Sequence, residues 1–120
     1  MLVSQILKSK AGGVVTLAPG ATLRDAVELL STRRIGAVVV SADGKSVKGI
    51  VSERDIVREL GRAGPGCLDA KVDTVMTRAI YGCAPGDTAD SVLETMTNRR
   101  FRHMPVMEGN VMVGFISIGD

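Results

Sequence analysis

Gly49-Ile50-Val51-Ser52-Glu53-Arg54-Asp55 decides how this chain is read. A short apolar run, long enough for a buried strand, leads straight into Ser-x-x-Asp. Ile56, Val57 and Leu60 then follow at helical spacing. Taken alone, the stretch is a strand-to-helix turn. Ser52 is the N-cap, and Asp55, at the third helical position, completes a variant of the capping box. It does not stand alone. Gly114-Phe115-Ile116-Ser117-Ile118-Gly119-Asp120 repeats it 65 residues later, with Gly, Ser and Asp in register.

The rest of the chain repeats with it. Val3, Ile6 and Leu7 mark an amphipathic turn or two that could pack on the main body, broken by Gly12-Gly13, and Val14 to Leu17 is a β-type run. Ala18-Pro19-Gly20-Ala21-Thr22 ends that run, with Thr22 as N-cap and Asp25 three residues on. Leu23, Ala26, Val27 and Leu30 give the next helix one apolar face, and Arg33-Arg34 suits its C-terminal dipole. The unbroken apolar run Ile35 to Val40 predicts a strand covered on both faces, with Val47 to Val51 returning after an Asp43-Gly44 turn. A helix over about Ser52 to Leu60 closes the unit, and the Gly/Pro-rich stretch from Gly61 is read as unable to continue it.

The second half keeps this order. Val72, Val75 and Met76 form a short helical segment, Ala79 to Cys83 reads as a strand, and Ala89, Val92, Leu93 and Met96 retrace the helical face. Residues 18–40 and 84–106 share eight identities in 23 positions, among them Glu28/Glu94 and Arg33-Arg34/Arg99-Arg100. This is an internal duplication of a β-α-β-β-α unit. The expected division is 1–62 for the first unit with its N-terminal segment, 63–71 for a linker and 72–120 for the second. Two such units, packed sheet to sheet as a pseudo-twofold pair, would share a core and leave a cleft. The second stops at Asp120, where the first begins its last helix, so that helix is missing and the sequence reads as trimmed or truncated.

Composition narrows the function classes. At 120 residues and 45% apolar content, with positive mean hydropathy, the chain has the material for a packed interior. A net charge of +2 and three aromatics, Tyr81, Phe101 and Phe115, give neither the charge nor the stacking surface of a nucleic-acid binder. No apolar run approaches a membrane span, and the N-terminal lysines follow the apolar residues, the wrong order for a signal peptide. A cytoplasmic protein is expected. Cys67 and Cys83, 16 residues apart without a CxxC or Cys/His cluster, supply neither a metal site nor a disulfide framework. Cys83 is expected to be a buried strand residue, Cys67 a connector residue.

The duplicated unit, with Gly-h-h-Ser-x-x-Asp at each end and Arg-His-x-Pro-Val in the second, resembles a tandem pair of CBS domains, or Bateman module. The resemblance covers Val3 to Asp120 and implies an α/β (α+β) fold that is regulatory, with no catalytic residues and no required cofactor. It implies an adenosine-containing ligand (AMP, ADP, ATP, S-adenosylmethionine or NAD(H)), a homodimer and a protein target that reads ligand occupancy. The motif's chemistry fits such a ligand. An aspartate in the first helical turn can accept from both ribose hydroxyls, the serine can reach the sugar or phosphate, and helix N-terminal amides favour an anion. By resemblance the aspartate of one unit works with the strands of the other. Ser52 and Asp55 are then expected with Ile80, Tyr81, Phe101, Arg102 and His103. Ser117 and Asp120 are expected with Val15, Thr16, Ile35, Gly36 and Ala37.

His103 carries two readings, a boundary histidine bonded to backbone or a phosphate contact beside Arg102. Arg33-Arg34 and Arg99-Arg100 are read as solvated helix ends. Two other functions compete with the sensor. One is a ligand-free dimerisation scaffold, in which the Ser-x-x-Asp turns only cap helices. The other is a small hydrolase assembled from Ser52, Ser117, His103 and Cys83. It has one histidine to work with, no GxSxG motif and no metal cluster.

Overall fold

The structure is a computed structural model that describes residues 1–9 and 13–118. In order, its elements are α1 (Val3–Ser9), β1 (Thr16–Leu17), α2 (Leu23–Arg33), β2 (Ala37–Val40), β3 (Gly49–Ser52), α3 (Glu53–Ala63), α4 (Ala89–Arg99), β4 (His103–Glu108) and β5 (Val111–Ser117). Two 3-10 turns, Pro65–Asp69 and Val72–Thr74, lie between α3 and α4.

Local chemistry sets the helix ends. Thr22 opens α2 with a reciprocal capping box: its hydroxyl accepts from Asp25 N (3.2 Å) and its own N–H donates to Asp25 Oδ2 (3.0 Å). Such caps contribute about 1 kcal/mol. In α4, Thr88 accepts from Ser91 N (3.1 Å), but Ser91 holds the third position where α2 has a carboxylate, so the box is one-sided. Both helices end alike. Arg34 (φ 54°) and Arg100 (φ 60°) are left-handed, with Ile35 N donating to Leu30 O and Phe101 N to Met96 O. This is the Schellman geometry, with arginine at the position glycine usually takes. α3 runs past its expected end at Leu60 to Ala63. One helical glycine costs only about 1 kcal/mol, so Gly61 stays in, and the stop comes at Gly64 (φ 76°) ahead of Pro65.

The chain forms two compact units, Val15–Ile80 and Met1–Val14 with Tyr81–Asp120. In the first, β1 pairs parallel with β2 and β2 antiparallel with β3, Ala37 opposite Ser52. Leu23, Ala26 and Leu30 of α2 pack with Val38, Val40, Val51, Ile56, Val72 and Met76. In the second, β4 and β5 pair antiparallel with His103 opposite Ser117, and Val3, Val92, Met96, Met104, Val106 and Ile116 form the core. Each unit has a core cluster of its own.

The segment preceding each repeat packs on the body of the other. Val72 N donates to Ala21 O and Leu23 N to Ala70 O; one repeat on, Val3 N donates to Asp87 O and Ala89 N to Met1 O. The two arms make the same bonds to the same repeat positions. The stretch after α3, read as a plain connector, carries an ordered 3-10 turn with Cys67 buried.

Four strand expectations change, the first being Val47 to Val51, which becomes Gly49–Ser52. Ala79 to Cys83 forms no strand: only Cys83 bridges, parallel to Val106, matching Leu17 with Val40 in the first repeat. Val14 to Leu17 contracts to Thr16–Leu17, and Ile35 to Val40 to Ala37–Val40. Apolar runs mark burial, whereas strand pairing requires a partner backbone in register.

Candidate functional site

In the Val15–Ile80 unit, the β3–α3 turn and the start of β2 build one corner. Ser52 is both the last residue of β3 and the N-cap of α3. Its hydroxyl accepts from Asp55 N (3.2 Å), while its N–H (2.9 Å) and hydroxyl (3.0 Å) both donate to Asp55 Oδ2. Gly36 O accepts from Glu53 N (2.9 Å), which sets Gly36 and Ala37 beside the turn. Ser52 and Asp55 are half-buried. Capping uses Asp55 Oδ2 alone, and among the described residues Oδ1 accepts no hydrogen bond. Asp25 is held in the same kind of box but is exposed, so capping by itself does not single out Asp55. Its half-buried place beside the bare backbone of Gly36 does.

The other expected residues of this unit are Val15 and Thr16 at β1, Ile35 just before β2, and Ile80 at the unit's end. All are half-buried except Ile35, which is 36% exposed.

The second unit repeats the corner. Arg102 O accepts from Ile118 N (2.8 Å), as Gly36 O accepts from Glu53 N, and His103 pairs with Ser117. Asp120 lies outside the described residues. The His103 ring stacks on Phe115 (centroids 5.7 Å, 9° between planes). Tyr81 stacks on Phe101 (5.5 Å, 11°). All four rings of this chain other than proline therefore lie in this unit, in two parallel stacks.

Arg99, read as a solvated helix end, is exposed and is also engaged. Its Cζ lies 4.7 Å from the Tyr81 ring centroid, and Nη1 donates to the Tyr81 hydroxyl (3.1 Å). The contact joins residues 18 apart, and no local pattern announces it. The left-handed arginines were a readable signal only in that the pair Arg33-Arg34 recurs as Arg99-Arg100 at both helix ends.

The remaining chemical candidates are tied down. Burial, with the Asp87 charge adding to it, pushes the Cys83 thiol up to about 11, so it is protonated near neutrality and a poor nucleophile. The Asp43 carboxylate accepts from Ser46 N and Lys45 N (both 2.8 Å), which holds it well below the usual carboxylate range and closes its own loop. Among the described residues, no group of three or more His, Cys, Asp or Glu could hold a metal ion. No helix there is long and apolar enough to cross a membrane.

Comparison with known proteins agrees with this repeat. The profile of the CBS domain matches residues 3–62 and 72–120. The mitochondrial CBS domain-containing protein CBSX3 of Arabidopsis thaliana is 31% identical over 98% of this chain, which spans 61% of that protein's length. The crystal structure of the CBS-domain containing protein ATU1752 from Agrobacterium tumefaciens superposes with a TM-score of 0.93 at 38% identity, covering 98% of this chain and 88% of that one. The CBS domain protein PAE2072 from Pyrobaculum aerophilum, solved in complex with AMP, is 26% identical with a TM-score of 0.86, over 99% of this chain and 88% of that one.

Proposed function

Because this chain belongs to the CBS-domain family, as a tandem pair of the domain, we propose that it is a regulatory module whose ligand is an adenine nucleotide. The AMP bound to the Pyrobaculum protein is the observation that carries this reading. ADP, ATP, S-adenosylmethionine and NAD(H) remain within the same adenosyl class. Asp55 is proposed as the ribose acceptor through Oδ1, with Ser52 holding its carboxylate in place. Ile80, Tyr81, Phe101, Arg102 and His103 are proposed to contribute to the same ligand. Val15, Thr16, Ile35, Gly36 and Ala37 belong by repeat to a second adenosyl ligand with Ser117 and Asp120. The module has no catalytic role in this reading; a partner protein reads its occupancy in the cytoplasm.

Asp55→Asn tests the proposal. Losing a charge-assisted hydrogen bond costs about 1.5–3 kcal/mol, so AMP affinity should fall at least roughly tenfold in calorimetry. Stability should change by less than about 1 kcal/mol, because the asparagine side-chain oxygen can still accept from Ser52 N at the third helical position. A ligand-free scaffold is the second reading, favoured by the fact that the capping box alone accounts for both Ser52 and Asp55. In that case no adenosyl compound shifts the melting temperature of the wild type, and calorimetry detects no AMP binding for the variant to lose.

A homodimer is part of the proposal, on narrower grounds than the sequence suggested. Leu23, Ala26 and Leu30 of α2, and Val92 and Met96 of α4, are spent in the cores. Val27 (38% exposed) and Leu93 (48%), which are repeat equivalents, remain for a partner. The double variant Val27→Asp/Leu93→Asp should therefore run as a monomer in light scattering at micromolar concentration, with its helical circular dichroism retained. A dimer mass in the variant would remove these two residues from the interface.

A further inference from the structure

We propose that the solvent side of α3 is a docking surface for an acidic protein helix, one with carboxylates a turn apart beside an apolar residue. Arg54, Arg58 and Arg62 recur every fourth residue and are all exposed, so they form one column along the helix. Val57, next to the column, is 67% exposed, more than any other large apolar side chain among the described residues except Met1. One turn on, a Cβ built at Gly61 meets nothing within 4 Å, which leaves room for a partner to approach the backbone. Ile56, Glu59 and Leu60 occupy the inward side.

The helix neutralises only the last arginine of this column. Asp55 is held by Ser52, and Glu59, whose side chain is 16% exposed, serves Arg62. Among the described residues, Arg54 and Arg58 form no ion pair. Like charges one turn apart weaken a helix, and an exposed β-branched residue adds nothing to it. A partner that brings carboxylates and covers Val57 turns both features to use. A phosphate backbone would satisfy the arginines but offers nothing apolar to Val57, and the net charge of +2 gives no broad field for nucleic acid. The surface goes beyond the nucleotide reading and does not depend on which adenosyl ligand is bound.

The probe is a fluorescein-labelled synthetic helical peptide of roughly five turns, with Glu at every fourth position and Leu beside each Glu. Anisotropy titration at low ionic strength should give saturable binding to the full chain. Affinity should fall roughly tenfold in Arg54→Gln/Arg58→Gln and by a smaller factor in Val57→Ser, with unchanged circular dichroism melts. Binding should also weaken with added salt. Four results would each overturn the proposal: no saturable binding, equal affinity in the arginine variant, tighter binding of a DNA duplex than of the peptide, or a change of oligomeric mass on Arg54→Gln/Arg58→Gln that marks the face as a self-contact.

Discussion

Val3→Asp is expected to strip hydrogen-exchange protection from β4 and β5, while Val72→Asp strips it from β2 and β3. Each residue belongs in sequence to one repeat and in space to the body of the other. Val3 and Val72 are both 0% exposed, Val3 among Val92, Met96, Met104 and Ile116, Val72 among Leu23, Val38 and Met76. An uncompensated buried charge costs about 3–5 kcal/mol, a large share of the roughly 5–15 kcal/mol that holds a domain folded. The carboxyl can reduce that cost by taking up a proton, but the protonated group still lacks a partner in an apolar core. The test is the location of the damage. Amides of Met104, Val106 and Ile116 should exchange faster in Val3→Asp, and those of Val38, Val40 and Val51 in Val72→Asp. The reverse assignment would refute the reciprocal packing of the arms.

That packing was not legible in the sequence, although most elements were. α2 and α4 could be read nearly to the residue because their signals are local. A threonine cap, apolar residues at helical spacing and a basic end all act within a few positions. The N-terminal pattern of Val3, Ile6 and Leu7 announced an amphipathic turn or two, which the structure extends to the helix Val3–Ser9. Amphipathicity says that a face will be buried and is silent on what buries it. The same limit explains Ala79 to Cys83, which has strand composition but gains one bridge, at Cys83.

The site was legible to the same depth. The Ser52–Asp55 turn could be read because cap chemistry is local, and the structure closes it as a capping box with Asp55 Oδ1 left over. Tyr81, Phe101 and His103 were singled out by resemblance. What ties them together, Arg99 on Tyr81 and Phe115 on His103, depends on strand pairing and on α4 lying over the sheet. Charge pattern placed Arg99 in solvent, and it is exposed, but its contact with Tyr81 could not be read, because a long side chain at a helix end looks the same whether or not a ring lies beneath it.

The glycine that begins each Gly-h-h-Ser-x-x-Asp motif follows from the arms, and it yields an expected asymmetry. A Cβ on Gly49 would lie 2.5 Å from Met76 Sδ, 2.7 Å from Met76 Cγ and 2.9 Å from the Thr77 carbonyl oxygen. On Gly114 it would lie 2.5 and 2.7 Å from the two Cδ atoms of Leu7. In both repeats the strand has no side chain where the other repeat's arm crosses it. The obstacles differ in kind. Leu7 offers the end of a flexible, half-buried side chain, which can rotate. Thr77 offers backbone, pinned because its carbonyl accepts from Ile50 N (3.0 Å) and its N–H donates to Ile50 O (2.9 Å). Gly49→Ala should therefore cost about 1–3 kcal/mol, the usual range for overpacking. Gly114→Ala should cost less, because Leu7 can yield, whereas the roughly 0.4–1 kcal/mol returned by lost unfolded-chain freedom is common to both changes. Double-mutant cycles read from urea midpoints separate the two cases. Leu7→Ala should relieve most of the Gly114→Ala penalty, with a coupling on the order of 0.5–3 kcal/mol. Met76→Ala should relieve only part of the Gly49→Ala penalty, since the Thr77 carbonyl remains in place. Full rescue by Met76→Ala, or equal costs for the two glycines, would show that arm backbone is not what keeps Gly49 bare.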